Sequence, residues 1–235
     1  MPRRPRGLLF DYGGTLVEEV RFDTRQATEW LLTHARLAAG VTLAHVVERA
    51  QRVTREVADQ RDVFHIETPW VALTRLIYDA SGTRFDADVE SLELGFWNAG
   101  VETRPMPGVV EALAYFRSAG IPMGVVSNSS FRQHVIRYEL SNHGLDKFIS
   151  IFAASAELAV RKPNPLIMEA AAGLLGLSCA DIWFVGDRLD TDIAGATAAG
   201  MTPILLSHAA GPRAEAPAIT VTHWDESVAL VRDAV

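Results

Sequence analysis

The 235-residue chain predicts an α/β fold, a parallel-sheet core into which a small helical bundle is inserted. Three observations carry that expectation. Apolar runs of strand length alternate with helical patterns through the C-terminal half. Two runs, Leu8-Leu9-Phe10 and Ile182-Trp183-Phe184-Val185, end at aspartates, Asp11 and, after Gly186, Asp187. Between the first strand and the later ones, residues 17–103 show helical patterns and no convincing strand.

In order, the first strand is expected at Gly7–Phe10. The insertion then carries four amphipathic stripes. Ala27, Trp30, Leu31, Ala35 and Ala38 form one; Val46, Val47, Ala50, Val53 and Val57 form the next. Thr68-Pro69 opens a third helix with Val71, Leu73, Leu76 and Ile77, which Gly82 stops. Asp86 opens a fourth with Val89, Leu92, Phe96 and Trp97. Beyond it, strands are expected at Pro122–Ser127, Phe148–Ala153, Ile182–Val185, Pro203–Leu206 and Ala218–Thr222. Helices are expected at Val109–Ala119, Phe131–Asn142, Pro165–Gly176, Thr191–Ala199 and from Asp225. Asn164 can cap the helix that Pro165 begins and Gly176 closes. The expected domains are therefore a core of residues 1–16 and 104–235 and a helical cap of residues 17–103. A segment that leaves directly after the first strand stands over the sheet edge bearing Asp11, where it can act as a lid.

Composition narrows the function classes. Net charge is −7 and the only basic block is Arg3, Arg4 and Arg6, so neither nucleic acid nor an anionic membrane is an expected partner. No apolar run is long enough to span a bilayer or to form a signal-peptide core. One cysteine, Cys179, excludes an internal disulfide and fits a reducing, cytoplasmic setting.

Of 22 basic residues 20 are arginines, and Lys162 is one of two lysines in the chain. A compact ammonium differs from a guanidinium fork, since it acts as a point charge beside a carboxylate or phosphate. Parallel strands deliver residues at their C-terminal ends to one sheet edge. Two carboxylates and an ammonium at such an edge form a site for a metal ion and a phosphate. Taken singly, Asp11 also suits a turn, Ser127-Asn128 a strand exit, and Asp192 a helix N-terminus stabilised by the dipole. Asp190 reads as solvated, Trp30, Trp70 and Trp97 as core of the insertion, and His45 and His65 as surface.

Asp11-Tyr12-Gly13-Gly14-Thr15, Val126-Ser127-Asn128, Arg161-Lys162-Pro163-Asn164-Pro165 and Val185-Gly186-Asp187 with Asp192-Ile193 occur in that order. Together they resemble the four motifs of the haloacid dehalogenase-like hydrolases, mainly magnesium-dependent phosphatases. Met106-Pro107-Gly108-Val109 resembles the usual re-entry from cap to core. The resemblance implies a Rossmann-like core, a cap inserted after the first motif, and Mg2+ as cofactor. It implies Asp11 as nucleophile and metal ligand, the Gly13 carbonyl as a further ligand, and Asp187 and Asp192 at the metal. Ser127, Asn128, Lys162 and Gly14 are the residues it implies for phosphate binding, with Ser127 and Lys162 also catalytic. The implied substrate is a small phosphorylated metabolite.

One position departs from the family. Most of its phosphatases carry a second aspartate two residues after the nucleophile, as general acid and base, and here that residue is Gly13. Such a group is worth roughly 10²–10⁴-fold. Substrates with good leaving groups, such as acyl or aryl phosphates, are then expected, or a substitute acid such as Glu18, Glu19 or His65. Arg104, near the re-entry, is a further residue that could reach the site. Two alternatives are a 2-haloacid dehalogenase acting on a halogenated substrate and a catalytically weak phosphate-binding module. Phosphonoacetaldehyde hydrolysis needs a cap lysine, and residues 17–103 contain none.

Overall fold

A computed structural model describes residues 3–207 and 218–234. In chain order the elements are β1 (Gly7–Phe10), β2 (Val17–Phe22), α1 (Thr24–Leu32), β3 (Ala35–Arg36), α2 (Leu43–Phe64), α3 (Trp70–Tyr78), β4 (Arg84–Phe85), α4 (Val89–Gly100) and β5 (Val101–Pro105). They continue as α5 (Val109–Ser118), β6 (Met123–Ser127), α6 (Gln133–Asn142), β7 (Ile151–Ala154), α7 (Ser155–Leu158) and α8 (Pro165–Leu175). The last are β8 (Ile182–Gly186), α9 (Ala194–Ala198), β9 (Thr202–Leu206), β10 (Ile219–Val221) and α10 (Trp224–Asp233).

Six strands form one parallel sheet in the order β10-β9-β8-β1-β6-β7. β1 lies between β6 and β8, which leave on opposite sides, so the crevice at the sheet's carboxyl edge opens beside Asp11. Successive residues of β1 face opposite layers. Leu8 and Phe10 join a core with Phe116 of α5 and Trp224 of α10, while Leu9 joins Ile167 and Met168 of α8. Full burial on both faces explains the unbroken apolar runs. Each such side chain contributes about 1.5–3 kcal/mol.

Local signals set the ends of α8 as expected. Asn164 Oδ1 accepts the Leu166 N–H at 3.1 Å, Pro165 occupies the first turn, and Gly176 closes the helix at φ 68°. Other boundaries differ. Phe148 lies in a tight turn and β7 starts at Ile151; α6 starts at Gln133; and the segment expected as a helix from Thr191 opens with a wide π-type turn, Leu189–Ile193.

Residues 17–103 contain the helices α1 to α4, but they also contain strands. β2 pairs antiparallel with β5, from Val17 opposite Pro105 to Phe22 opposite Val101. The expectation of no strand over residues 17–103 is thus corrected. β2 buries Val17 alone among its six residues, so it carries no alternation to read, and its partner lies some 80 positions away. The first helix also stops at Leu32, and Ala35 lies in the short β3–β4 pairing. Tyr12 and Val17, at the exit from β1, belong to the same continuous core as Leu92 and Trp97 of α4.

Candidate active site

The ends of three parallel strands and one loop meet at the carboxyl edge. Asp11 follows β1, Ser127 ends β6, Asp187 follows β8, and Lys162 lies in the loop before α8. The Lys162 ammonium pairs with Asp11 Oδ1, stands 2.7 Å from Asp192 Oδ1, and donates to the Val126 carbonyl at 3.0 Å. Asp11, Ser127, Lys162 and Asp192 are all buried. One carboxylate oxygen from each of Asp11, Asp187 and Asp192 lies within 4.8 Å of the others. The lysine, the nucleophile candidate and both acidic-motif carboxylates therefore converge.

Two glycines make that crowding sterically feasible. Gly14 has φ 75°, and a Cβ there would stand 2.4 Å from Asp187 Oδ2; at Gly186 a Cβ would stand 2.5 Å from Asp192 Oδ2. Asp192 is held from behind as well, since its Oδ2 accepts the Arg188 N–H at 3.1 Å. The wide turn points Asp192 inward instead of leaving it as a solvated first-turn acid. Asp190 is exposed and pairs with Arg188 at 2.8 Å.

The electrostatics follow from the burial. Loss of hydration pushes the Asp11 carboxyl up to about 7; Lys162 opposes this, and Asp192 and Asp187 reinforce it. Burial acts to lower the Lys162 ammonium, but Asp11 and Asp192 outweigh it and hold its pKa above the ordinary value. Lys162 thus stays charged, with more anionic than cationic groups around it. Three hard oxygen donors with one ammonium suit a small divalent cation, which the crowded carboxylates would accept in place of a proton.

A cavity of about 720 Å³ opens above these groups. Its floor includes Asp11, Gly13, Ser127, Lys162 and Asp192. One wall is aromatic: Trp97 and Phe131 lie 4.9 Å apart edge to face, and Phe22 stands 6.4 Å from Phe131. Glu19 and His65 line the cavity too, whereas Glu18 and Arg104 pair with each other at 2.7 Å on the exposed β2–β5 ribbon. A Cβ added at Gly13 meets nothing within 4 Å, so the space that an acid/base side chain could fill is open.

Two expected phosphate contacts are differently employed. Asn128 Nδ2 donates to the Lys162 carbonyl at 2.9 Å and its Oδ1 accepts the Lys162 N–H at 2.7 Å. Its amide therefore fixes the lysine's backbone. The Gly14 N–H donates to the Val17 carbonyl at 2.8 Å, closing the turn, and the residue's contribution is room for Asp187. Of Trp30, Trp70 and Trp97, the last two are buried, but Trp97 also forms cavity wall. His45 is exposed, while His65, expected at the surface, is half-buried on the cavity. The Cys179 thiol is pushed up by burial, as an inert cysteine should be.

Three buried glutamates outside all the motifs link residues 17–103 to the parallel-sheet core. Glu67 binds Arg161; Glu93 accepts from Arg132 Nε at 2.7 Å; and Glu139 accepts from Trp97 Nε1 at 3.1 Å. Their only local signal is charge inside an apolar stripe, as at Leu92-Glu93.

A model of the haloacid dehalogenase-like hydrolases matches residues 5–200, and the chain belongs to that family. It is 37% identical over 102 residues to a glyceraldehyde 3-phosphate phosphatase of Methanopyrus kandleri, covering 43% of this chain and 42% of that protein. It is 35% identical over 124 residues to a phosphoglycolate phosphatase of Neisseria meningitidis, covering 49% and 51%. The chain thus spans about half the length of these relatives. A HAD phosphatase structure from Thermococcus onnurineus shares the fold, with TM-score 0.66 and 20% identity over 96% of this chain and 97% of the other. Both of these relatives are named as phosphatases. Among the described residues no helix is long and apolar enough to cross a membrane.

Proposed function

We propose that the protein is a magnesium-dependent phosphatase acting on a small phosphorylated metabolite through an aspartyl-phosphate on Asp11. The observation that carries this is the gathering of Asp11, Asp187, Asp192 and Lys162 around one buried point at the sheet edge. Asp11, Asp187 and Asp192, with the Gly13 carbonyl, would hold the ion; when bound, Mg2+ supplies charge neutralisation to the phosphoryl oxygens. The relatives' phosphatase names support the substrate class, and a cytoplasmic site of action accords with the single cysteine.

Phosphoryl transfer needs positioning and electrostatic stabilisation more than bond-making by the protein. Asp11 attacks phosphorus, an Asp11 O–P bond forms, and the bond to the leaving oxygen breaks. Ser127 and Lys162 hold the non-bridging oxygens, so Lys162 exchanges one carboxylate contact for phosphate. Water then attacks phosphorus and releases Asp11. Nothing on Gly13 protonates the leaving oxygen, which favours leaving groups that depart as stable anions. The aromatic wall of Phe22, Trp97 and Phe131 suits an apolar or aryl body on that leaving group.

Residues 17–103 act in this scheme as a cap that excludes water and selects the substrate. The acidic trio favours the metal-dependent phosphatase over carbon–halogen hydrolysis, for which carboxylates gathered around the nucleophile add only repulsion. Phosphate release from alkyl, aryl and acyl phosphates, with and without Mg2+, tests the proposal, with Asp11→Asn as blank. Magnesium-dependent turnover of aryl and acyl phosphates that the variant lacks is expected. Chelator-resistant turnover of 2-haloacids, or no turnover of any phosphate, would overturn it.

A further inference from the structure

Glu67, in the link between α2 and α3, is a buried carboxylate far in sequence from the nucleophile and absent from the motifs. Its exposure is 4%; its Oε1 accepts the neighbouring Thr68 N–H at 3.1 Å, and its Oε2 reaches across to the sheet domain. It forms an ion pair with Arg161, the residue before Lys162. Its Oε2 also accepts the Ser155 hydroxyl at 2.7 Å, and Ser155 Oγ in turn accepts the Ser129 N–H at 2.9 Å. Ser129 is two residues beyond Ser127. One carboxylate of the inserted segment is therefore tied to both loops that present the phosphate-holding side chains.

The backbone repeats the same link. The Glu67 N–H donates to the Ala159 carbonyl at 3.0 Å, and the Arg161 N–H to the His65 carbonyl at 2.9 Å. Between them Ile66 and Val160 form an antiparallel bridge. A few residues on, the Trp70 N–H donates to the Ser130 carbonyl at 2.7 Å. The insertion is thus strapped to the stretch just before Lys162 and to the loop after Ser127. From the core side, Asn128 holds the Lys162 backbone in a two-way hydrogen bond.

We propose that Glu67 is a positioning residue: its docking between Arg161 and Ser155 sets Ser127 and Lys162 in their working places, so that closing the insertion over the cavity completes the site. The significance of Ser127 and Lys162 rests on the phosphatase reading above; the strap itself does not. A buried ion pair is poor evidence for stability, because desolvation of both charges offsets their attraction. What it does favour is one geometry, since the same carboxylate oxygen accepts from both the arginine and the hydroxyl. Opening the insertion leaves Arg161 and Ser155 without that partner and frees the lysine loop on one side. Substrate that favours the closed arrangement is thereby coupled to assembly of the catalytic groups.

The test uses Glu67→Gln, which keeps the shape but removes the charge and turns one acceptor oxygen into a donor amide, beside Arg161→Gln and the double variant. With p-nitrophenyl phosphate and Mg2+, Glu67→Gln is expected to lower kcat by about 10- to 100-fold, the scale of loss that misplacement by about 1 Å brings. KM should change far less, and Arg161→Gln should add little to it. Equal kcat in wild type and Glu67→Gln, or fully additive losses, would overturn the proposal. Amide hydrogen exchange supplies the arm that does not depend on turnover. Glu67→Gln should speed exchange at residues 127–130 and 159–162 while leaving β1 and β8 protected. If exchange there is unaltered, the strap does not hold these loops, whatever the enzyme hydrolyses. If exchange rises but the wild type hydrolyses no phosphate, the phosphatase reading fails and the strap stands.

Discussion

Replacing Gly14 with alanine tests how closely the carboxylate cluster depends on the missing side chain. The new Cβ would lie 2.4 Å from Asp187 Oδ2 and 2.8 Å from its Cγ. Ordinary contact begins near 3.4 Å, so Asp187 must retreat by about 1 Å. The backbone cannot relieve this cheaply, because alanine at φ 75° costs about 1–2 kcal/mol. Mg2+ holds its oxygens at about 2.0–2.1 Å in near-octahedral order, so a ligand displaced by 1 Å is lost or replaced by water. We expect Mg2+ affinity to fall about 10- to 100-fold, a range typical for disturbed ligand orientation. Titration calorimetry with Mg2+ measures this directly. Gly13→Ala is the contrast, since its Cβ meets nothing within 4 Å and metal affinity should change little. Equal losses in the two variants, or undiminished binding in Gly14→Ala, would refute the steric account.

Three other perturbations probe different parts of the site. Gly13→Asp places a carboxyl in open space beside Asp11, and the surrounding carboxylates favour its protonated form; alkyl phosphate turnover should rise by up to ~10²–10⁴-fold while aryl phosphates gain little, as read by phosphate release. Because Asp11 titrates at about 7 without metal, the folded protein retains there a proton that the unfolded chain loses near pH 3.8; stability of the metal-free form therefore falls as pH rises across that window. Mg2+ must displace the same proton, so its affinity should increase from about pH 5.5 to about pH 8.5, measurable by thermal shift; a flat response would refute the assignment. Glu93→Ala removes the buried carboxylate partner of Arg132, which keeps Glu90 at 3.6 Å, and should destabilise the fold by roughly 1–3 kcal/mol in denaturant titration, whereas exposed Glu29→Ala should cost under about 1 kcal/mol.

The site was legible wherever a local pattern is tied to a global position. An apolar run ending in aspartate predicts a buried parallel strand delivering that aspartate to the sheet edge, and Asp11 and Asp187 lie there. Lys162 stood out because lysine is nearly absent elsewhere. What escaped depends on partners remote in sequence. Glu67 and Arg161 are 94 positions apart, and neither neighbourhood announces the other. β2 is a strand because β5 pairs with it, not because Val17-Glu18-Glu19-Val20-Arg21-Phe22 alternates cleanly. Asn128 illustrates a subtler gap, since its type was informative and its partner, the Lys162 backbone, was not readable. The cavity's aromatic wall, too, joins Phe22 at the end of β2 to Phe131 just before α6, two residues remote in sequence.

The central claim is that Asp11 takes the phosphoryl group onto its own carboxylate, and chemical trapping addresses it directly. Turnover of an aryl phosphate with Mg2+ is quenched with borohydride, which reduces a carboxyl-phosphate anhydride to an alcohol, and the peptide containing Asp11 is then sequenced by mass spectrometry. Conversion of residue 11 to homoserine, dependent on both substrate and Mg2+, is the predicted result. Release of phosphate with Asp11 left unmodified under the same quench would contradict it.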